Sequence, residues 1–226
     1  MELTTSTLEV LKNFASINSN LVFNNNNVVK TVSENRAVFS TAILDVSFPE
    51  TFGIYDLNEF LSTLSLLDDP RLKFDEKYLV ISDGSGRTRI KYFYSDVDNL
   101  THPTNDVIMP ETEVNFTLDR ETLMKIKRAT AVLGHSEMSV TSSNGVLSLN
   151  VIDNNDESSN AFSIDVDGSF DIEKPNFKLI FNVSNLKMID GNYEVGLSSA
   201  HVSHFINKET GTQYWVALEK HSSYGE

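Results

Sequence analysis

The chain has 226 residues, 32 acidic and 18 basic, giving a formal net charge of −14, and 40% of it is hydrophobic. That length suits one large domain or two small ones, and the apolar content, with only five prolines and ten glycines, excludes a disordered chain. The absence of cysteine excludes disulfides, thiolate nucleophiles and thiolate metal sites.

No apolar run approaches the ~20 residues a membrane span needs. The start, Met1-Glu2-Leu3-Thr4-Thr5, lacks the basic and apolar regions of a secretory signal. The expectation is a soluble cytosolic protein with no membrane partner. A surface this acidic repels nucleic acid over most of its area, so any role on nucleic acid needs a local reversal of sign.

In chain order, Ser6-Thr7-Leu8-Glu9 predicts a capping box opening a helix to about Ile17, with Leu8, Leu11, Phe14, Ala15 and Ile17 on one face. Strands are predicted over 21–23, 28–32 and 37–44, with Asn24 to Asn27 as a hairpin tip, since Asn tolerates left-handed backbone. Asp56 caps a second helix to about Leu67. Strands over 78–82 and 87–94 flank the turn Asp83-Gly-Ser-Gly86. The aperiodic stretch 96–113, with Pro103 and Pro110, reads as a linker between domains 1–95 and 114–226. A helix follows over 118–134, then a hairpin around Asn144-Gly145 and strands over 161–166 and 177–181. A short helix at about 184–189 precedes strands over 193–197, 201–206 and 214–218.

The order helix, strands, strand-into-helix, strands thus occurs twice. Ile54-Tyr-Asp-Leu-Asn-Glu-Phe60 lies over Ile180-Phe-Asn-Val-Ser-Asn-Leu186. This duplication predicts an α+β protein of two similar domains, each with two helices on antiparallel sheet.

The helix "DRETLMKIKRATAVL", Asp119 to Leu133, holds four of the 18 basic residues. At about 100° per residue, Leu123, Ile126, Ala129, Thr130 and Leu133 share one side, and Arg120, Lys125, Lys127 and Arg128 share the other. The next stretch, 135–176, has eight acids and one lysine, so the reversal is local. Four cations on one face attract a phosphate backbone without regard to sequence. The competing reading is an ordinary solvated helix face. Lys12 on the matching first helix and Lys187 on the predicted fourth helix add cations to the same side of the argument.

"STLEVLKNFASIN", "IYDLNEFLSTLSLL", "NVSNLKMIDGNYEV" and "YWVALE", in this order along the chain, resemble the sliding clamps of T-even-type bacteriophages, the DNA polymerase processivity factors. The resemblance implies the DNA-clamp fold and a head-to-tail homotrimer closed as a ring around duplex DNA, with helices lining the hole. It further implies the replicative DNA polymerase, an ATP-driven clamp loader and late-transcription factors as partners, in the cytoplasm of an infected bacterial host. It implies no cofactor. On this reading Lys12, Arg120, Lys125, Lys127, Arg128 and Lys187 face DNA, and the acidic remainder keeps DNA off the outside.

A head-to-tail ring needs two different complementary edges. Arg87, Arg89 and Lys91 alternate on the last strand before the linker, and Asp165 and Asp167 alternate on a strand of the second half. Pairing of these edges between subunits, with opposite charges setting register, is the expectation. The alternative is two solvated hairpins. The apolar Val107-Ile108-Met109-Pro110 in the linker is the candidate wall of a pocket for partner peptides, against a clasp packed on its own domain.

Enzyme chemistry has little support. The five histidines are scattered, and His201 and His204 are spaced to opposite faces of a strand. Asp153-Asn-Asn-Asp-Glu157 lacks the spacing of an EF-hand loop, and Asp83-Gly-Ser-Gly-Arg87 does not join a strand to a helix, so neither metal nor phosphate binding is assigned. A non-catalytic β-rich protein-interaction module, with an incidental basic helix, is the alternative function.

Overall fold

Thr4 takes the N-cap of helix α1 (Thr5–Ile17), its side chain accepting from the Thr7 backbone N–H in this computed structural model, which describes residues 1–153, 156 and 158–225. The expected cap, Ser6, is thereby corrected. Thr4, Ser6 and Thr7 turn their hydroxyls to the Asp45 carboxylate, donating at 2.7, 2.8 and 2.6 Å. These donors, Thr7 foremost, hold the Asp45 pKa at about 2 instead of 3.8. Leu11 and Phe14 are fully buried, and Val10, Ala15 and Ile17 join them. Each such large side chain contributes about 1.5–3 kcal/mol on removal from water.

Contacts divide the chain into two units, Met1–Asp106 and Val107–Glu226. In the first, β1 (Leu21–Phe23), β2 (Val28–Val32), β3 (Val38–Ile43) and β4 (Phe52–Ile54) pair antiparallel in the order β3-β2-β1-β4. The asparagine tip turns differently from expectation. None of its four residues has positive φ; instead the Asn26 side chain accepts from the Val28 N–H at 2.8 Å. Phe23 stacks on Phe52 at 4.7 Å, and Phe48 meets Phe52 edge-on, forming an aromatic core. Gly53 is required on β4, because a Cβ there would lie 2.5 Å from the Leu100 side chain and 2.8 Å from the Ser95 carbonyl.

Helix α2 (Leu57–Leu64) is capped as expected by Asp56, which accepts from the Asn58 and Glu59 N–H groups. It stops short of Leu67: past Leu64 the Leu66 and Leu67 N–H groups bond three residues back, to Thr63 O and Leu64 O at 3.3 Å, and Asp69 adopts φ 48° just before Pro70. Strand β5 (Arg71–Asp75) was not foreseen; with β6 (Tyr78–Ser82) and β7 (Arg89–Phe93) it forms the sheet β5-β6-β7, so β7 is an edge of that sheet. Arg87 lies before β7, where Asp83 and Ser85 side chains accept from its N–H at 3.1 and 3.2 Å. The expected alternation of Arg87 with Arg89 and Lys91 therefore shortens to Arg89 and Lys91.

The second unit begins with another unforeseen strand, β8 (Val114–Leu118), whose buried and exposed residues alternate strictly. Helix α3 (Arg120–Leu133) follows directly, so Leu118 ends a strand instead of starting a helix. Asp119 caps α3, accepting from the Thr122 N–H at 2.7 Å and its hydroxyl at 3.2 Å. Gly134 closes it with φ 73° and donates to Thr130 O.

Next come β9 (Glu137–Ser143), β10 (Val146–Val151), β11 (Phe162–Val166), β12 (Gly168–Phe170), β13 (Phe177–Asn182), β14 (Tyr193–Ser198), β15 (Val202–Ile206), β16 (Gln213–Ala217) and β17 (Ser223–Tyr224). Within the unit they run β12-β8-β14-β15-β16 and β11-β10-β9-β13-β17, all antiparallel, leaving β11 at an edge. Asn144 and Gly145 turn the β9–β10 hairpin with φ 51° and 80°, as the Asn-Gly pair predicts. Asp165 lies on β11 and Asp167 just beyond it. Of the acidic run 153–157, Asn154, Asn155 and Glu157 lie outside the described residues.

Two α-helices per domain is corrected for the second domain, which has α3 alone among the described residues. Where a helix was expected at 184–189, only a 3₁₀ turn forms, Val183–Asn185. Leu186 and Met188, two apart, are both buried, a spacing that one face of an α-helix does not provide. Side chains satisfy the backbone instead: Ile189 N–H donates to the Tyr214 hydroxyl at 3.2 Å, and the Tyr193 hydroxyl donates to Ile189 O. The repeat survives at its junctions. Asp56 after β4 and Asn182 at the end of β13 cap the following turns in the same way, Asn182 accepting from Ser184 N–H at 3.0 Å.

Asp45→Ala is expected to destabilise the protein by about 1 kcal/mol, the scale of a lost helix-start anchor. Because the folded pKa is depressed, this advantage of the native residue is complete above about pH 4. It disappears as pH falls through about 2, which urea melts of both proteins across that range would track. Asp119→Ala should also cost about 1 kcal/mol of stability, read as a lower urea midpoint with an unchanged slope.

Candidate nucleic-acid interface

Helix α3 is held by a narrow footing. Thr122, Leu123 and Ile126 are its buried residues, while Ala129, Thr130 and Leu133 are only half-buried. The opposite side carries Arg120, Lys125 and Arg128, all exposed, as the helical spacing predicts.

The four cations are not equivalent. Lys125 pairs with Glu121 one turn earlier at 2.7 Å; both are well exposed, so the pair adds little stability but offsets one charge. Lys127 is half-buried, donates to Met188 O at 3.4 Å and stands 3.8 Å from the Asp190 carboxylate. Burial lowers its pKa, and Asp190 opposes that shift. Among the described residues, Arg120 and Arg128 have no ion-pair partner. The expected four-cation face is therefore two open arginines, a paired Lys125, and Lys127 tied down to the 188–190 stretch. Glu121 was legible at its four-residue spacing; Asp190 was not.

Lys187 is exposed, but it follows the 3₁₀ turn and does not sit on a helix, which corrects its predicted setting. Lys12 is exposed on α1 in the first unit.

Arg89 and Lys91 are exposed on the β7 edge. The Lys91 ammonium lies 3.6 Å from the centre of the Tyr78 ring and 4.9 Å from that of Phe93, which is 62% exposed. On the β11 edge, exposed Asp165 accepts from the Ser148 hydroxyl at 2.7 Å. An apolar groove of about 330 Å³ lies beside the start of β11, lined by Ala129, Val132, Leu133, Ala161 and Phe162 and rimmed by Lys125 and Arg128. Val132 is 77% exposed there, a feature that helical periodicity alone did not single out.

In the candidate peptide segment, Ile108 is 91% exposed and Pro110 exposed, while Val107 and Met109 are half-buried.

No catalytic arrangement forms around His201 and His204. His201 sits in the β14–β15 turn with φ 61°, not on a strand as expected. His204 stacks on Trp215 at 4.3 Å and contacts the Gln213 side chain at 2.9 Å. Burial lowers its pKa, favouring the neutral ring. No helix among the described residues is long and apolar enough to cross a membrane.

Residues 4–93 match the family model for the DNA polymerase processivity factor, and residues 115–220 match that for the gp45 sliding clamp, C terminal. The chain is 35% identical to the sliding clamp of Vibrio phage KVP40 over 97% of this chain and 99% of that one. It is 27% identical to the sliding clamp of Escherichia phage RB69, over 99% of each chain. Its fold is similar to the solved structure of PCNA from Thermococcus kodakaraensis, with a TM-score of 0.70 at 14% identity, covering 96% of this chain and 98% of that one. With a basic helix face on an acidic two-domain α+β chain and a full-length match to phage clamps, the chain belongs to the sliding clamp family of DNA polymerase processivity factors, which are not enzymes.

Proposed function

We propose that this sliding clamp works as three head-to-tail copies closed in a ring around duplex DNA, tethering the replicative DNA polymerase. The observation that carries this reading is the pair of open arginines, Arg120 and Arg128, on the exposed face of α3 in a chain of net charge −14. A ring is retained by topology, so its lining needs only weak, sequence-independent attraction to phosphates, and an acidic exterior keeps DNA from adhering elsewhere. Lys12, Lys125, Lys127 and Lys187 are assigned the same DNA-facing role, with Lys125 and Lys127 contributing less because acids already pair them.

The reading keeps 1–95 and 114–226 as the clamp domains and 96–113 as their linker. Val107, Ile108, Met109 and Pro110 are assigned to the docking site of polymerase and other partner peptides, supported by the exposed Ile108. An ATP-driven clamp loader and late-transcription factors complete the partners, and the host cytoplasm is the site of action.

Ring closure is assigned to the two sheet edges. Arg89 and Lys91 on β7 of one copy face Asp165 on β11 of the next, with Arg87 just before β7 and Asp167 just after β11 adding to the same edges. The apolar groove beside β11 continues this edge, and a second copy, whose β7 ends in exposed Phe93, is its assigned occupant.

After loader-driven assembly, the clamp should stay on circular DNA and run off linear DNA. Replacing Arg120 and Arg128 with Ala should reduce the salt dependence of DNA association, by about 0.9 in the log–log slope for each phosphate no longer neutralised. Equal retention on both DNAs would instead favour a protein-interaction module. Sedimentation equilibrium should give about 76 kDa, three copies of the 25.3 kDa chain. Arg89→Glu and Asp165→Arg should each weaken the trimer and together restore it; equal stability in all four proteins would remove the edge pairing.

A further inference from the structure

Glu137, Glu219 and His221 converge from two distant parts of the second unit. One carboxylate oxygen from each glutamate and one imidazole nitrogen all lie within 4.8 Å of one another. His221 Nε2 is 3.4 Å from Glu137 Oε2.

Each side chain springs from hydrogen-bonded backbone. Glu137 opens β9 and sits opposite Asn182 of β13 in the ladder. Glu219 follows β16, and its N–H donates to Ile180 O at 2.7 Å. The turn carrying His221 is closed by Ser222 N–H donating to Glu219 O at 2.9 Å, while the Ser222 hydroxyl accepts from Ile180 N–H. Strand β17 then pairs with β13.

We propose that Glu137, Glu219 and His221 form a zinc site that pins the segment 219–224 to the start of β9. Zinc takes imidazole nitrogen and carboxylate oxygen at about 2.0–2.2 Å in a tetrahedron, whose edges are then about 3.4 Å. The His221–Glu137 separation already has that length. Two carboxylates balance the charge of a divalent ion, and three protein ligands leave the fourth position to water. The mixed nitrogen and oxygen set suits zinc better than magnesium or calcium, which take oxygen ligands in larger number. The site acts as a staple: it joins residues more than 80 positions apart and shortens the free path of the chain leading into β17.

The test is isothermal titration of the chelator-stripped, desalted full chain with zinc chloride, alongside thermal melts and hydrogen exchange. Saturation at one zinc ion per chain is expected, with a raised melting temperature and slower exchange over 219–225. Magnesium chloride at the same concentration should do neither. His221→Ala and Glu219→Gln, both outside the packed core, should each weaken zinc binding at least tenfold and abolish the melting shift, whereas His201→Ala should leave both unchanged. Absence of saturable binding, or wild-type affinity in His221→Ala, would overturn the site.

Discussion

Leu123 and Ile126 are the buried apolar residues of α3, which lies against β10, and that packing decides where every cation on the helix points. A helix fixed by two adjacent core residues has one rotational setting, since turning it would expose both and bury charge. With those residues inward, Arg120 and Arg128 are left open to solvent, while Lys127 falls at the boundary and finds Met188 O and Asp190. The caps at Asp119 and Gly134 set where the helix begins and ends, and so which residues occupy the basic face.

The same economy governs charge elsewhere. The chain spreads acids over its surface, but the acids nearest α3 are used individually: Glu121 on Lys125, Asp190 on Lys127. The basic face is thus weaker than its composition suggests. On the proposed encirclement of DNA, a weak lining permits movement where a tight one would hold the clamp in place. Phosphate attraction carries no sequence information, so such a lining treats every stretch of duplex alike.

The two halves show how a duplicated plan diverges. Both run a strand into a side-chain-capped turn, at Asp56 and at Asn182. In the first half, the cap leads into eight helical residues with Leu57, Phe60 and Leu64 buried on one face. In the second, Leu186 and Met188 must both enter the core, and two tyrosine hydroxyls satisfy the backbone that a helix would have paired. Buried backbone groups have to be paired by something, and here side-chain partners displaced the helical ones.

Local patterns were enough to read the α+β class, the duplication, the helices α1, α2 and α3, the Asn-Gly hairpin and the position of the basic face, because each rests on periodicity or turn chemistry within a few residues. The motifs shared with phage clamps likewise lay in contiguous stretches. Strand β8 was legible too, in the alternation of Val114, Phe116 and Leu118, although proximity to the proline-containing linker obscured it. What only the tertiary structure decided were the relations between distant residues: Asp45 as the anchor of α1, Asp190 as the partner of Lys127, the loss of the fourth helix, and the meeting of Glu137 with Glu219 and His221. Those depend on which strands pair and where a side chain finds its partner across the fold, and spacing along the chain does not encode such distances.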